Sequence, residues 1–285
     1  MISTQAGMFI PDTATKEEAY YKIDVSQKSI VGGLTEDHYT QYHIKKEWIR
    51  TLPSGDTIYV IEVIEREDNA TGKLRKIEAD IATFTKRIAV QVDTTGKPIY
   101  LLNQYAIAEA WQDHRKEFYK KHKDFEDIAE LITQTDAFVE DAEQLLEAFL
   151  ESAIGQVMFP TTYESIDTIE NKKTSKVISG CIGDDDVPLI LTHSKVSYDR
   201  EKGKYSIQKD GVLDHEQYNA DGVNEFFTDL VGNPIKTAIE LGYLESHDFD
   251  TSFWITHVFL ILNIHIKGVF NYQEIIRVQP NPPML

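Results

Sequence analysis

Three consecutive carboxylates beside glycines, in Gly180-Cys181-Ile182-Gly183-Asp184-Asp185-Asp186, make the run of this sequence best suited to a hard cation, because Ca2+ and Mg2+ take oxygen ligands. Asp184, Asp185 and Asp186 are therefore the candidate metal residues. The alternating ligands and closing bidentate acid of a calcium loop are absent, so the competing expectation is an exposed acidic hairpin turn. Within the same run, Cys181 becomes a nucleophile only beside a base. His193 supplies one if residues 176–182 and 189–198 pair around Asp184; otherwise Cys181 is a small core side chain.

Two histidine groups are the other places to look for chemistry. His247-Asp248-Phe249-Asp250 sets an imidazole beside two carboxylates, which suits acid–base work and equally suits a loop leading into a strand; the loop is the expectation. His257 and His265 share one face of a strand but are eight positions apart, roughly 26 Å at strand rise, too far to hold one ion together. With Trp254 and Phe259 they are the candidate ligand-binding residues. His38 and His43, five apart, do not repeat on a single strand face. No catalytic residue is assigned and no cofactor is expected, since the chain has no Gly-rich phosphate loop, no Gly-x-Ser-x-Gly elbow, no HExxH and no paired CxxC.

These residues must be positioned by a strand-rich chain. Tyr21, Ile23 and Val25 alternate with polar residues up to Gly32-Gly33, and segments 39–50 and 57–65 flank Pro53-Ser54-Gly55-Asp56 as a β-hairpin. Residues 74–84 fit a short helix, and 88–92 with 99–102 form a second hairpin. Helical spacing then takes over. Asn103 is placed to cap a helix carrying Ile107, Trp111 and Phe118; a second carries Phe125, Ile128 and Ile132; a third, with Asp136 at its start, carries Phe138, Leu145 and Phe149. After Pro160 the pattern predicts strands at 163–169, 176–182, 189–198, 204–209 and 212–218, with Asp210-Gly211 as a hairpin turn. An amphipathic helix follows behind Asp221. A final strand pair begins at Trp254, with Val258, Leu260, Leu262, Ile264 and Ile266 on one apolar face and His257, Phe259, Asn263 and His265 on a mixed one.

The resulting expectation is an α+β fold, with a mostly antiparallel, curved β-sheet whose hairpins lie at both ends of the chain, packed with a central block of helices. Residues 1–18 read as an extended N-terminal arm, 19–278 as a single domain or two β-rich lobes divided near 155, and 279–285 as a Pro-rich C-terminal tail. This order of strands, helices and strands resembles that of periplasmic lipoprotein-carrier half-barrels at the level of element order. The resemblance implies an apolar ligand held between sheet and helices.

Composition narrows the function classes. The formal charge of −18, from 47 acidic against 29 basic side chains over 285 residues, opposes binding to nucleic acid and to anionic lipid surfaces. The lone Cys181 excludes an intramolecular disulfide. The most apolar window, 253–266, is shorter than the roughly 20 residues of a spanning helix, so no membrane insertion is expected. Met1–Pro11 lacks the pattern of a secretory signal, which predicts a cytoplasmic location if the sequence is full length. Three functions remain: a non-enzymatic protein-interaction or assembly subunit, with a protein partner or a second copy; a carrier of an apolar small molecule or lipid in a half-barrel-like cavity; and a hydrolase-type enzyme with a dispersed Asp/His site around Asp184–Asp186 and His193.

Overall fold

The computed structural model describes residues 17–69, 71–94, 96–159, 171–182, 185–199, 204–232, 238–250 and 254–281. In chain order the strands are β1 (Glu18–Val31), β2 (Leu34–Thr51), β3 (Thr57–Asp68), β4 (Arg87–Val92), β5 (Pro98–Leu101), β6 (Lys173–Ile182), β7 (Asp185–Asp199), β8 (Lys204–Leu213), β9 (Ile239–Phe249), β10 (Ile255–Ile266) and β11 (Phe270–Pro280). The helices are α1 (Lys73–Ile81), α2 (Gln104–His122), α3 (Ile128–Glu140), α4 (Ala142–Glu151), α5 (Ala153–Met158) and α6 (Ala220–Val231). Hydrogen bonding links the strands in the order β5-β4-β3-β2-β1-β11-β10-β9-β8-β7-β6, so the sheet is open, and the pairs with a described register are antiparallel. The sheet outweighs the helices, whose share is smaller than the sequence pattern suggests. Among the described residues no helix is long and apolar enough to cross a membrane.

The chain divides into two compact units. The described residues of the first fall within Asp24–Thr40 and Glu164–Gln279, those of the second within Phe9–Ile23, Gln41–Tyr163 and Pro280–Leu285. Most of the expected N-terminal arm and the last four residues of the tail lie outside the described residues; Asn281 donates its backbone N–H to Tyr20 at 2.8 Å.

In the second unit, the alternation in the sequence sets the inward face. Ala19, Tyr21 and Ile23 of β1, Ile44 and Lys46 of β2, Ile61 of β3 and Val90 of β4 are buried, and the β3/β4 register sets Ile61 beside Ile88 and Tyr59 beside Val90. Helices α2 to α5 present Ile107, Trp111, Ile132, Leu145, Phe149 and Val157 as their buried stripes. Two expected caps act differently. Asn103 precedes α2, but its side chain accepts from Ala89 N and donates to Arg87 O, tying the helix start to β4. Asp136 lies inside α3, where its carboxylate accepts from Trp111 Nε1 at 2.6 Å and from Arg115. The residue that caps α4 is Asp141, which accepts from the amides of Glu143 and Gln144.

In the first unit, Gly32 and Gly33 turn β1 into β2 with φ of +56° and +88°, a conformation that side chains resist. β10 lies between β9 and β11, with Val258, Leu260, Leu262, Ile264 and Ile266 buried as the period of two requires. Three expectations fail. Asp210-Gly211 is not a turn: β8 runs unbroken through it, and residues 214–218 leave the sheet instead of continuing a strand. Gly211 serves close packing, because a Cβ there would meet Tyr243 Cβ at 2.8 Å and Leu191 Cδ2 at 2.9 Å. His247-Asp248-Phe249 is strand β9 and not a loop, paired on both edges with β8 and β10. Helix α6 is capped by Asn219, whose side chain accepts from Gly222 N, and not by Asp221. The expected strand at 163–169 lies outside the described residues.

Candidate functional site

A cavity of about 390 Å³ lies in the second unit between strands β2 to β4 and helices α1, α3, α4 and α5. Its apolar wall is built from Ile61, Ile88, Phe138, Leu145, Phe149 and Ile154. The paired Ile61 and Ile88 form the floor on the sheet, while Leu145 and Phe149, four apart on α4, form the roof by helical spacing. Polar groups also line it. Arg66 Nε lies 3.2 Å from Asp68 Oδ2, and the guanidinium sits 5.7 Å from the ring centroid of Tyr42. Burial raises the Tyr42 phenol above its ordinary value, so it remains a neutral hydroxyl in the cavity wall.

Deeper in the same unit, Lys46 points inward from β2. Its ammonium lies 4.8 Å from the ring of Tyr59 and 4.5 Å from that of Phe159, and donates to Met158 O at 2.9 Å. Burial pulls this amine down to about 7. Lys46 is not among the residues lining the cavity.

The first unit contains a different concentration of polar groups. Tyr243, Glu245 and His247 alternate on the buried face of β9, and β8 sets Lys209 beside Glu245 while β7 sets His193 beside Lys209. Lys209 Nζ donates to Glu245 Oε1 at 2.8 Å, Tyr243 Oη donates to Glu245 Oε2 at 2.6 Å, and Lys176 Nζ of β6 donates to Tyr243 Oη at 2.8 Å. His247 Nδ1 lies 3.4 Å from Glu245 Oε1. Burial by itself would raise the Glu245 carboxyl, but Lys209 and its other cationic neighbours hold it well below the usual range. Burial also pulls His247 down to about 4, keeping it neutral against the attraction of Glu245. A carboxylate so completely engaged is not available as a general base.

The residues singled out in the sequence are dispersed. Asp185 Oδ1 accepts from Asn219 Nδ2, Asp186 Oδ1 accepts from Ser179 Oγ, and Asp184 lies outside the described residues. Among the described residues no group of three or more His, Cys, Asp or Glu is placed to hold a metal ion. The β6/β7 hairpin pairs Ile182 with Asp185, whereas the backbone of His193 bonds to Asn171 and Lys172 at the hairpin's other end. Cys181 and the acidic turn are thus far from His193 along β7, and burial raises the Cys181 thiol to about 12. The Cys181–His193 pairing does not form. His257 is exposed and Phe259 and His265 are half-buried on the face of β10 opposite its apolar one, with Phe259 5.8 Å from the Arg277 guanidinium; Trp254 is buried before the strand. None of the four lines the cavity.

The cavity and the ionic cluster both escape motif reading. Their signals are periodic: Ile61 and Val63 alternate on β3, and Tyr243, Glu245, His247 and Phe249 alternate on β9.

No protein-family model matches the chain, and no curated protein matches it in sequence. Among solved structures the chain is similar to lipovitellin, from a study of lipid–protein interactions in that protein, at 7% identity and a TM-score of 0.49; the match covers 94% of this chain and 26% of lipovitellin. A DUF1329 family protein from Desulfovibrio piger is similar at 6% identity, with 96% of this chain and 90% of that one covered and a TM-score of 0.23. A putative outer membrane lipoprotein-sorting protein domain from Vibrio parahaemolyticus is similar at 5% identity, 93% and 87% coverage and a TM-score of 0.15. At these values the likeness assigns no family.

Proposed function

We propose that this chain binds an apolar small molecule, of the bulk of a single acyl chain, in the cavity of its second unit. The observation that carries the reading is the cavity: about 390 Å³ walled by aliphatic and aromatic side chains, toward the small end of the roughly 300–1,000 Å³ of small-molecule sites. A void of that size without an occupant costs stability, because its lining loses dispersion contacts. A mostly apolar lining with a few polar groups suits a ligand that is apolar over most of its length. This cavity supports the carrier reading ahead of the assembly reading.

The test is saturable binding of an uncharged fluorescent naphthylamine to the full chain and its displacement by dodecanol. Ala148 lines the cavity from an exposed position on α4, so Ala148→Trp plugs it with a bulky, mostly apolar ring. The expected result is a loss of about tenfold or more in probe affinity with a thermal melt no lower than that of the wild type. Equal binding by wild type and A148W moves the site elsewhere, and an absence of saturable binding removes the carrier reading.

A further inference from the structure

A second concavity of about 360 Å³ lies against the apolar one and shares Asp68 and Ala79 with it. Helix α1 is the wall common to both: Ala79 lines both concavities, Ile81 and the following Ala82 line the apolar one, and Lys73, Lys76 and Asp80 line the other. Across from α1 stand Lys121 and His122, at the end of α2, and Asp124.

The charges in this place are unevenly committed. Asp80 Oδ2 is held by Lys121 Nζ at 2.5 Å and by His122 Nε2 at 2.7 Å, and Asp68 is paired with Arg66. Lys73 and Lys76 make no ion pair with any carboxylate among the described residues, and Lys86 at the rim of the apolar cavity is in the same position. Together the two linings carry five Lys and Arg against four Asp and Glu. In a chain of net charge −18 that local balance is inverted. The inversion attracts an anion where the rest of the surface repels one.

We infer that the molecule in the apolar cavity is an amphiphile with an anionic head, a carboxylate or a phosphate monoester. Its chain lies between β3/β4 and α4, and its head passes Ala79 to meet the ammonium groups of Lys73 and Lys76. Ammonium groups on flexible stems bind such oxyanions as point charges through charge-assisted hydrogen bonds, and Ala79, which lines both concavities, presents only a methyl group between them. This inference rests on the carrier reading and adds the chemistry of the ligand's polar end.

The experiment compares ligands that share one chain and differ only in the head. Dodecanol, dodecanoate, dodecyl phosphate and dodecyltrimethylammonium each displace the naphthylamine probe from the full chain at low salt, below their micelle concentrations. Inorganic phosphate alone is titrated calorimetrically in parallel. The expected result is that dodecanoate and dodecyl phosphate bind about tenfold tighter than dodecanol, with the ammonium the weakest. Lys73→Gln/Lys76→Gln abolishes the preference while leaving dodecanol affinity unchanged; both lysines are solvent-exposed, so the variant folds. Dodecanol binding as tightly as the anions, or a preference that survives in K73Q/K76Q, overturns the inference and leaves the carrier reading standing. Inorganic phosphate binding through these lysines as tightly as dodecyl phosphate identifies a free-anion site and also overturns it. If none of the four ligands displaces the probe, the carrier reading fails first and the inference with it.

Discussion

The two compact units solve the inward face of a strand array in opposite ways. On β2 to β4 of the second unit, aliphatic side chains point under helices that cover the face without filling it, leaving a cavity of about 390 Å³. On β6 to β9 of the first, the inward row is occupied by Lys176, Lys209, Tyr243, Glu245 and His247, bonded to one another. Concentrated titratable groups are the usual flag for a functional site. Here they are bonded to one another, while the cavity described in the other unit has mostly apolar walls. Each side chain of β9 has one partner position on each neighbouring strand, so a one-residue slip against β8 would expel Glu245 from beside Lys209. The cluster thereby fixes register, as a buried polar residue does in other folds.

The largest effect expected from this contrast is that of Glu245→Leu. It strands Lys209 and Lys176 in the interior without their shared carboxylate, and removing one partner of a buried pair costs about 3–5 kcal/mol. Trp254 is the tryptophan of the first unit, while Trp48 and Trp111 belong to the second. In a Trp48→Phe/Trp111→Phe background, urea unfolding followed by fluorescence therefore reports on the first unit. Lys209→Met/Glu245→Leu should recover a large part of the loss, since replacing an ion pair by apolar groups of similar volume is often neutral. A loss below about 1 kcal/mol for E245L alone would show the cluster to be solvated, and the contrast between the units would dissolve.

The same contrast explains what could be read in advance. Hairpins around 53–56 and 93–97, helix α1 and the stripe of α6 are legible because each pairs a clean hydrophobic period with turn or cap residues. β9 is illegible because two of its four buried inward positions, Glu245 and His247, are polar, so its alternation does not register as hydrophobic. Asp210-Gly211 misleads for a related reason: the glycine that signals a turn is required by the ring of Tyr243 on the neighbouring strand, a contact no local window contains. The six apolar wall residues of the cavity come from five elements spread over more than ninety positions, each an ordinary core residue in its own segment. Trp254, Phe259, His257 and His265 drew notice as rarer residue types on an apolar strand. Rarity of type carries no information about where helices fail to fill space.

A second, smaller effect distinguishes the units by pH. Lys46 is folded with its amine near 7 and unfolded at the ordinary 10.5. Between these values the unfolded chain binds more protons, so stability rises with pH, and it is lowest below the folded value. For one such group the slope approaches about 1.4 kcal/mol per pH unit, giving about 2 kcal/mol between about pH 7 and 9. Urea unfolding followed at Trp48 and Trp111 should show that rise, and Lys46→Met should flatten it while raising the midpoint at neutral pH. The methionine keeps the stem between Tyr59 and Phe159 and removes the buried charge. An equal slope in K46M would assign the pH dependence to other groups and leave Lys46 charged in its aromatic surroundings.

The smallest effect tests whether the cluster depends on packing as well as on charge. Gly211→Ala places a methyl 2.8 Å from Tyr243 Cβ and 2.9 Å from both Tyr243 Cδ1 and Leu191 Cδ2, closer than side-chain atoms tolerate. Tyr243 cannot yield freely, because its hydroxyl bridges Lys176 and Glu245 at 2.8 and 2.6 Å. The strain is then shared between an overpacked ring and lengthened hydrogen bonds, for a cost of about 1–3 kcal/mol by the same Trp254 readout. Tyr243→Phe separates the two contributions: it keeps the ring and removes the bridge, so Gly211→Ala should cost less in that background, where the ring is free to shift. If the cost is the same with and without the hydroxyl, Gly211 guards only the volume between β7 and β9, and the ionic cluster tolerates movement of its central phenol.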